Sequence, residues 1–338
     1  MTSRTQRLIE LCVSLGLTSG LLAVAAFYQP KVAPPPISQP AQVSTDRYYG
    51  ITAAQGNTWV VGDGGKVLHS IDGGETWTVQ RGYGHPDLQA IAAWDAKQII
   101  AVGNDNQIIR SEDGGQNWLS VSEVPRSQWN NKLLQIHLDD SGTAWAVGAG
   151  GAILRSADFG KRWEPMVEME DITWHGVSSC DHGKLLIVVG EFGQILSSRD
   201  AGATWTTVPS STDITLTAVG LDSACQGLAV GLQGTVLRLF NGRWQPFEPS
   251  GMHDAAASVH WFAVAAADNR WWITGEHGVL MQIDLPESTA GVAQIQRLET
   301  ESSAAWFTDI QVTDDKLLAV GDAIVGATPD IPSLISRR

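Results

Sequence analysis

Residues 61–77 read Val-Gly-Asp-Gly-Gly-Lys-Val-Leu-His-Ser-Ile-Asp-Gly-Gly-Glu-Thr-Trp. An apolar run ends in Val-Gly, a short turn follows, and a second apolar run enters a Ser-x-Asp-x-Gly-x-x-Trp turn. Two short strands joined by a tight hairpin fit this pattern, and a 3.6-residue helical period does not. The Val-Gly step recurs as Val61-Gly62, Val102-Gly103, Val147-Gly148, Val189-Gly190, Val230-Gly231, Thr274-Gly275 and Val320-Gly321, at intervals of 41, 45, 42, 41, 44 and 46 residues. Ten to twelve residues ahead of each pair stands a β-branched residue: Ile51, Ile91, Ile136, Val177, Val219, Val264 and Ile310. Each unit therefore reads strand, loop, strand, hairpin, strand, turn, strand. Four short strands per repeat of roughly 40 residues is the pattern of a propeller blade. Seven copies fill residues 45–338, so the fold class is all-β, one seven-bladed β-propeller. The seventh copy fades after Ala327. Val43–Arg47 is expected to supply its outer strand and close the ring, which removes an exposed edge.

Composition agrees. Glycine numbers 35 and tryptophan 14 of 338 residues, the usage of many tight turns and packed short strands. Hydrophobic residues make up 43% and charged residues 17%, enough apolar material for a large core. The formal net charge of −14 lacks the basic field that nucleic acid needs, and that class of partner is excluded.

The first residues read as an address. Arg4 and Arg7 precede an uncharged stretch from Leu11 to Tyr28 that contains the small run Ala23-Val24-Ala25-Ala26. Residues 1–28 fit either a cleaved secretory signal or an uncleaved signal anchor. Residues 29–44 form a proline-rich linker with Pro30, Pro34, Pro35, Pro36 and Pro40. A stiff spacer is most useful behind a retained anchor. The flanking arginines then place the propeller across the inner membrane, in the periplasm or a lumen, with secretion to the periplasm as the alternative.

The Ser-x-Asp-x-Gly-x-x-Trp turn occurs in four copies. Its aspartates are Asp72, Asp113, Asp158 and Asp200, and its tryptophans Trp77, Trp118, Trp163 and Trp205. The aspartate accepts backbone N–H groups, the glycine supplies positive φ, and the tryptophan fills space between sheets. This is a structural Asp-box, not a catalytic motif. With these repeats the chain resembles the bacterial neuraminidase (Asp-box) repeat propellers. The run from Val61 to Trp77 resembles in particular the photosystem II stability and assembly factor family. The resemblance implies a non-enzymatic scaffold outside the cytoplasm, monomeric, binding a membrane protein or membrane-protein complex. It also implies an arginine-rich patch for the partner, from which this acidic chain departs.

Two patterns emerge when the copies are aligned. The residues after each Val-Gly pair are Asp63, Asn104, Ala149, Glu191, Leu232, Glu276 and Asp322, with Asp105 one place further on. Turn chemistry accounts for Asp and Asn there, but not for Glu191 and Glu276. Asp63, Asp105, Glu191, Glu276 and Asp322 are accordingly candidates for partner binding. The second pattern precedes the Asp-box serine and holds Arg110, Arg155 and Arg238. These arginines either form a residual counterpart of the family's patch or pack their stems between blades.

Two other functions are carried alongside the scaffold. One is an accessory protein of an envelope transporter. The other is a glycosidase or sialidase-like carbohydrate-active enzyme, which is disfavoured because the tyrosines, Tyr28, Tyr48, Tyr49 and Tyr83, all lie in the first quarter of the chain. No histidine pair has zinc-ligand spacing, so no metal is assigned, and no cofactor is implied. Asp139-Asp140-Ser141-Gly142 reads as a turn in preference to a calcium loop. Cys180 and Cys225 fall in the first loops of consecutive blades, which share a face. They are either a disulfide or two small buried residues.

Overall fold

The glycine of each Val-Gly pair ends a buried strand against the backbone of its neighbour. At Gly62, Gly103, Gly148, Gly190, Gly231, Gly275 and Gly321 a Cβ would collide with the carbonyl oxygen of the residue just ahead of the same blade's first strand. Those oxygens belong to Arg47, Asp87, Lys132, Thr173, Thr215, His260 and Trp306. Gly62 itself is extended, at φ −172°, so close approach and not left-handed backbone demands the glycine. The first strand of each blade carries a register shift at this level, as at Tyr48/Gly50 and Trp174/Gly176.

The computed structural model describes residues 41–247, 259–267, 270–285, 294–298, 305–313 and 316–327. Blade one holds β1 (Tyr48–Ala54), β2 (Asn57–Gly62), β3 (Val67–Ser70) and β4 (Thr78–Arg81). Blade two holds β5 (Leu88–Ala93), β6 (Ile99–Gly103), β7 (Ile108–Ser111) and β8 (Leu119–Ser120). In blade three these are β9 (Leu133–Leu138), β10 (Ala144–Gly148), β11 (Ile153–Ser156) and β12 (Glu164–Pro165). Blade four follows with β13 (Trp174–Cys180), β14 (Leu185–Gly190), β15 (Ile195–Ser198) and β16 (Thr206–Val208). Blade five has β17 (Leu216–Leu221), β18 (Gly227–Gly231), β19 (Val236–Phe240) and β20 (Arg243–Pro246). Blade six has β21 (Trp261–Ala267), β22 (Arg270–Gly275), β23 (Leu280–Asp284) and β24 (Gln294–Leu298). The described part of blade seven is β25 (Phe307–Val312), β26 (Leu317–Gly321) and β27 (Ile324–Ala327).

Every sheet is an antiparallel meander, and the first strands of successive blades pack side by side around the axis. Second strands lie between two neighbouring sheets, so Ile99–Gly103, Ala144–Gly148 and Leu317–Gly321 are buried throughout and read as unbroken apolar runs. Outer strands such as Leu119–Ser120 are exposed. Each of the seven seams has its own apolar cluster. Trp59 joins blades one and two, Trp163 blades two and three, and Trp145 blades three and four. Trp244 serves blades four and five, and Trp271 blades five and six. Trp272 serves blades six and seven, and Leu318 blades seven and one.

Val43–Arg47 is not the outer strand of blade seven. It forms a turn, with the Asp46 N–H donated to the Val43 carbonyl at 3.0 Å, and β1 begins at the next residue. An outer strand there would leave no residues for the crossing to an inner strand, a crossing that elsewhere needs at least the length from Arg81 to Leu88. The segment still closes the seam by other means. Asp46 is buried on the Lys66 ammonium at 2.6 Å, and Arg47 pairs with Asp322 of blade seven at 3.1 Å. Burial opposes the charge of Asp46, but Lys66, the Val43 N–H and the Tyr48 hydroxyl hold its pKa below the usual carboxylate value.

The expected signal or anchor, residues 1–28, and the linker prolines lie outside the described residues. Among the described residues no helix is long and apolar enough to cross a membrane.

Candidate functional site

At one end of the ring, the hairpins between second and third strands alternate with the connections that lead to the next blade. The seven residues after the Val-Gly pairs sit here, and each donates its backbone N–H to the carbonyl ahead of its own inner strand. In three blades the carboxylate adds a second bond to that same residue. Glu191 Oε2 accepts the Thr173 N–H at 2.8 Å, Glu276 Oε2 that of His260 at 3.1 Å, and Asp322 Oδ2 that of Trp306 at 3.0 Å. Asp63 Oδ1 accepts the Tyr49 hydroxyl at 2.6 Å, and Asn104 donates to Asp87 at 3.2 Å. These side chains clip each hairpin to the entry of its blade. Of the five carboxylates singled out from sequence, Asp105 alone is exposed and without a bonded partner among the described residues.

Arg110, Arg155 and Arg238 occupy one register position on β7, β11 and β19, opposite Ile100, Trp145 and Leu228. They do not converge. Arg110 binds Glu112 at 2.5 Å, and Arg155 leans over the Trp145 ring and reaches Glu164 at 3.4 Å. Arg238 is buried above the Phe240 ring. Arg110 borders a groove of about 850 Å³ between blades two and three, where Lys161 and Arg162 are likewise engaged by Glu112 and Asp158.

The opposite end carries the first hairpins and the Ser-x-Asp turns. Ser70, Ser111, Ser156 and Ser198 each donate to the aspartate two residues on and accept the N–H of the glycine four residues on. Those glycines have φ of 75–87°. The carboxylate then accepts the N–H of Thr76, Asn117, Arg162 or Thr204. Hydrogen bonds from Thr204 and Ser198 bring Asp200 down to about 2. At Asp158 a slight burial works upward, but the Arg162 side chain and N–H prevail and hold it at about 2. Trp163 is buried, and Trp77, Trp118 and Trp205 pack half-buried against the preceding blade. Blade five replaces this turn with Asn241-Gly242, both left-handed, and its Trp244 still fills the seam. Asp139 caps its own turn through Ser141 and Thr143. Among the described residues no group of His, Cys, Asp and Glu could hold a metal ion.

Around the axis, inner strands reach across seams. Cys180 and Cys225 form a disulfide between blades four and five, with Cα atoms 5.6 Å apart. It borders a depression of about 550 Å³ where His137 Nε2 lies 2.8 Å from Ser179 Oγ. Burial pushes His137 down to about 4 against the pull of Asp139, so the ring is neutral and accepts the Ser179 N–H as well. Tyr48 and Tyr49 are pushed up by burial and by their hydrogen bonds to Asp46 and Asp63, the reverse of an activated nucleophile. Asp309 of blade seven accepts the Ile51 N–H of blade one at 2.9 Å, and burial raises it to about 7. Its register equivalents are Gly50, Ala90, Gln135, Gly176, Ala218 and Ala263, so only the closing blade carries an acid there.

Solved structures share this architecture. YCF48 bound to D1 peptide superposes with a TM-score of 0.67 at 18% identity, over 84% of this chain and 93% of that one. YCF48 from Cyanidioschyzon merolae gives 0.66 at 18% identity, over 86% and 98%. This chain has the seven-bladed fold of YCF48. Virginiamycin B lyase from Staphylococcus aureus is also similar, at 0.66 and 15% identity over 85% and 95%. No protein-family model and no curated protein matches the chain.

Sequence reasoning missed the large side chains left bare at the connection end. Phe192 is 68% exposed and Trp129 52% exposed. A signal was present for Phe192, because it follows Glu191 at a left-handed turn position held elsewhere by Gly64, Asp105, Gly150, Gln233 and His277.

Proposed function

We propose that this propeller is a non-enzymatic scaffold that binds a segment of a membrane protein during assembly, in the manner of a photosystem II assembly factor. The observation that carries this reading is the shared fold with YCF48, one structure of which holds a D1 peptide. The side chains support it. The phenols and carboxylates with the largest shifts are bound in seam closure and turns, where they hold the ring together.

Residues 1–28 would tether the propeller to the membrane, with the ring on the periplasmic or lumenal side. Arg4 and Arg7 ahead of the apolar run support that orientation, as does the Cys180–Cys225 bond, which persists in oxidising compartments. Affinity purification of the full-length protein from native membranes tests both statements. Recovery of a membrane protein in stoichiometric amount, with the bait retained after a carbonate wash, is the expected result. A bait that washes off, or that brings only a transporter, replaces this reading with a secreted or transporter-accessory one. Likeness to virginiamycin B lyase favours one enzyme alternative, and turnover of virginiamycin B by the purified protein would establish it.

A further inference from the structure

We infer that the connection end of blades two to five is a docking surface for an extended, arginine- or lysine-bearing peptide, anchored on Trp129 and Phe192. The inference rests on the scaffold reading and specifies the chemistry of its partner. Trp129 is half-exposed and Phe192 largely exposed at this end, and aromatic side chains such as these are the ones that interfaces use as anchors. Phe192 also holds left-handed backbone, φ 57°, where a glycine would sit without strain.

Their segments are contiguous. The Asn106 N–H bonds the Asn131 carbonyl, and Gly150 is pressed against Ser127 and Asn130, beside Trp129. Gly151 donates to the Ile172 carbonyl at 2.7 Å and leaves no room for a side chain beside Glu170. Thr173 is bound by Glu191, and Gly193 abuts the Thr212 carbonyl. The aromatics thus stand on a continuous arc of loops.

Charge complementarity names the occupant. Asp105, Glu168, Glu170, Asp171 and Asp213 are exposed along this arc, and none has an ion pair or hydrogen bond to its carboxylate among the described residues. Arg126 and Lys132 are the cations of the same segments. At the opposite end Asp72, Asp95, Asp113, Asp139, Asp158, Asp200 and Asp222 are all spent on their own turns. Unspent carboxylates on the same arc of loops as the exposed rings fit guanidinium or ammonium groups, which can pair with the acids or lie over the aromatic faces.

The test uses the full chain and a fluorescent peptide of alternating arginine and serine, with an alternating glutamate–serine peptide as its charge inverse. The arginine peptide should bind, and salt should weaken it. Glu170→Gln with Asp171→Asn should lower affinity by about tenfold, while Asp140→Asn with Asp181→Asn, the same charge change at the other end, should not. Phe192→Gly should weaken binding yet melt no lower than wild type, which separates contact from stability. Equal binding of the glutamate peptide, no binding of the arginine peptide, equal loss in the control pair, or full binding by both Phe192→Gly and Trp129→Ala would each overturn the inference. Recovery of the membrane partner with the Glu170→Gln, Asp171→Asn protein at wild-type yield would also overturn it and leave the scaffold reading intact. Binding of the arginine peptide with no membrane partner recovered would instead support the docking surface and remove the scaffold reading.

Discussion

Gly190 ends β14 with its α-carbon against the Thr173 carbonyl and the Trp174 ring, so an added methyl must displace backbone. Gly190→Ala should cost about 1–3 kcal/mol in chemical denaturation, the usual penalty for overpacking a rigid site. Asp158→Ala removes the acceptor for Ser156, Arg162 and Lys161 and should cost about 1 kcal/mol at pH 7. The sign with pH follows from its depressed pKa. The contribution is complete above about 4, the unfolded value, and disappears as pH falls through the folded value of about 2, so the two proteins should converge in acid. At this scale the fold was legible in sequence because the same collision demands glycine in all seven copies. The role of Glu191 and Glu276 was not. Each looks like a surface carboxylate in a one-dimensional alignment, and its partner is a backbone N–H 18 or 16 residues earlier, brought close only by the bulge at the blade entry. Exposure of Phe192 likewise depends on what its neighbours cover, which spacing does not encode.

Closure between the last blade and the first uses an acid, Asp309, at a register position where the other six blades carry none. Asp309 reaches the Ile51 N–H, Thr308 Oγ1 the Tyr48 carbonyl at 2.8 Å, and Lys316 the Glu75 carboxylate at 3.0 Å. Burial raises Asp309 to about 7, with the N–H groups of Ile51 and Ile310 pulling the other way and no charged neighbour contributing. The native state therefore keeps a proton that the unfolded chain loses near pH 4. Stability from this group is greatest below that value, declines as pH rises, and levels off above about 7, by at most about 4 kcal/mol. His137 and His175, both pushed down by burial, act in the opposite sense below about 6.5, where the unfolded chain takes up protons that the folded rings refuse. Asp309→Asn isolates the acid. Its melting temperature should change less than that of wild type between pH 6.5 and 8, and a parallel decline in both proteins would rule out Asp309 as the source. The sequence pointed to the wrong closing element, Val43–Arg47 as a strand, because the fading of blade seven is visible in the pattern while the length needed to cross between blades is a property of the ring.

For the whole molecule, the cross-link and the address should depend on each other. Cys180 and Cys225 tie two adjacent blades across a separation of 45 residues, and Cys180 is buried. Closing such a loop restricts the unfolded chain by up to about 4 kcal/mol in the chain-entropy model, comparable with a sizeable share of a domain's net stability. A ring with an apolar cluster at every seam does not need the bond to assemble, so it should fold without it and simply melt earlier. The compartment then becomes readable from the protein itself. Full-length chain exported by its own residues 1–28 should show both cysteines blocked to alkylation before reduction. The segment from Ala41 onward, made in a reducing cytoplasm, should show both free and a lower melting temperature that oxidation restores. Cys180→Ser with Cys225→Ser should bring the exported protein down to the same value. If the exported chain instead carries two free thiols, residues 1–28 have not delivered the ring to an oxidising compartment, and the proposed orientation across the membrane falls with it.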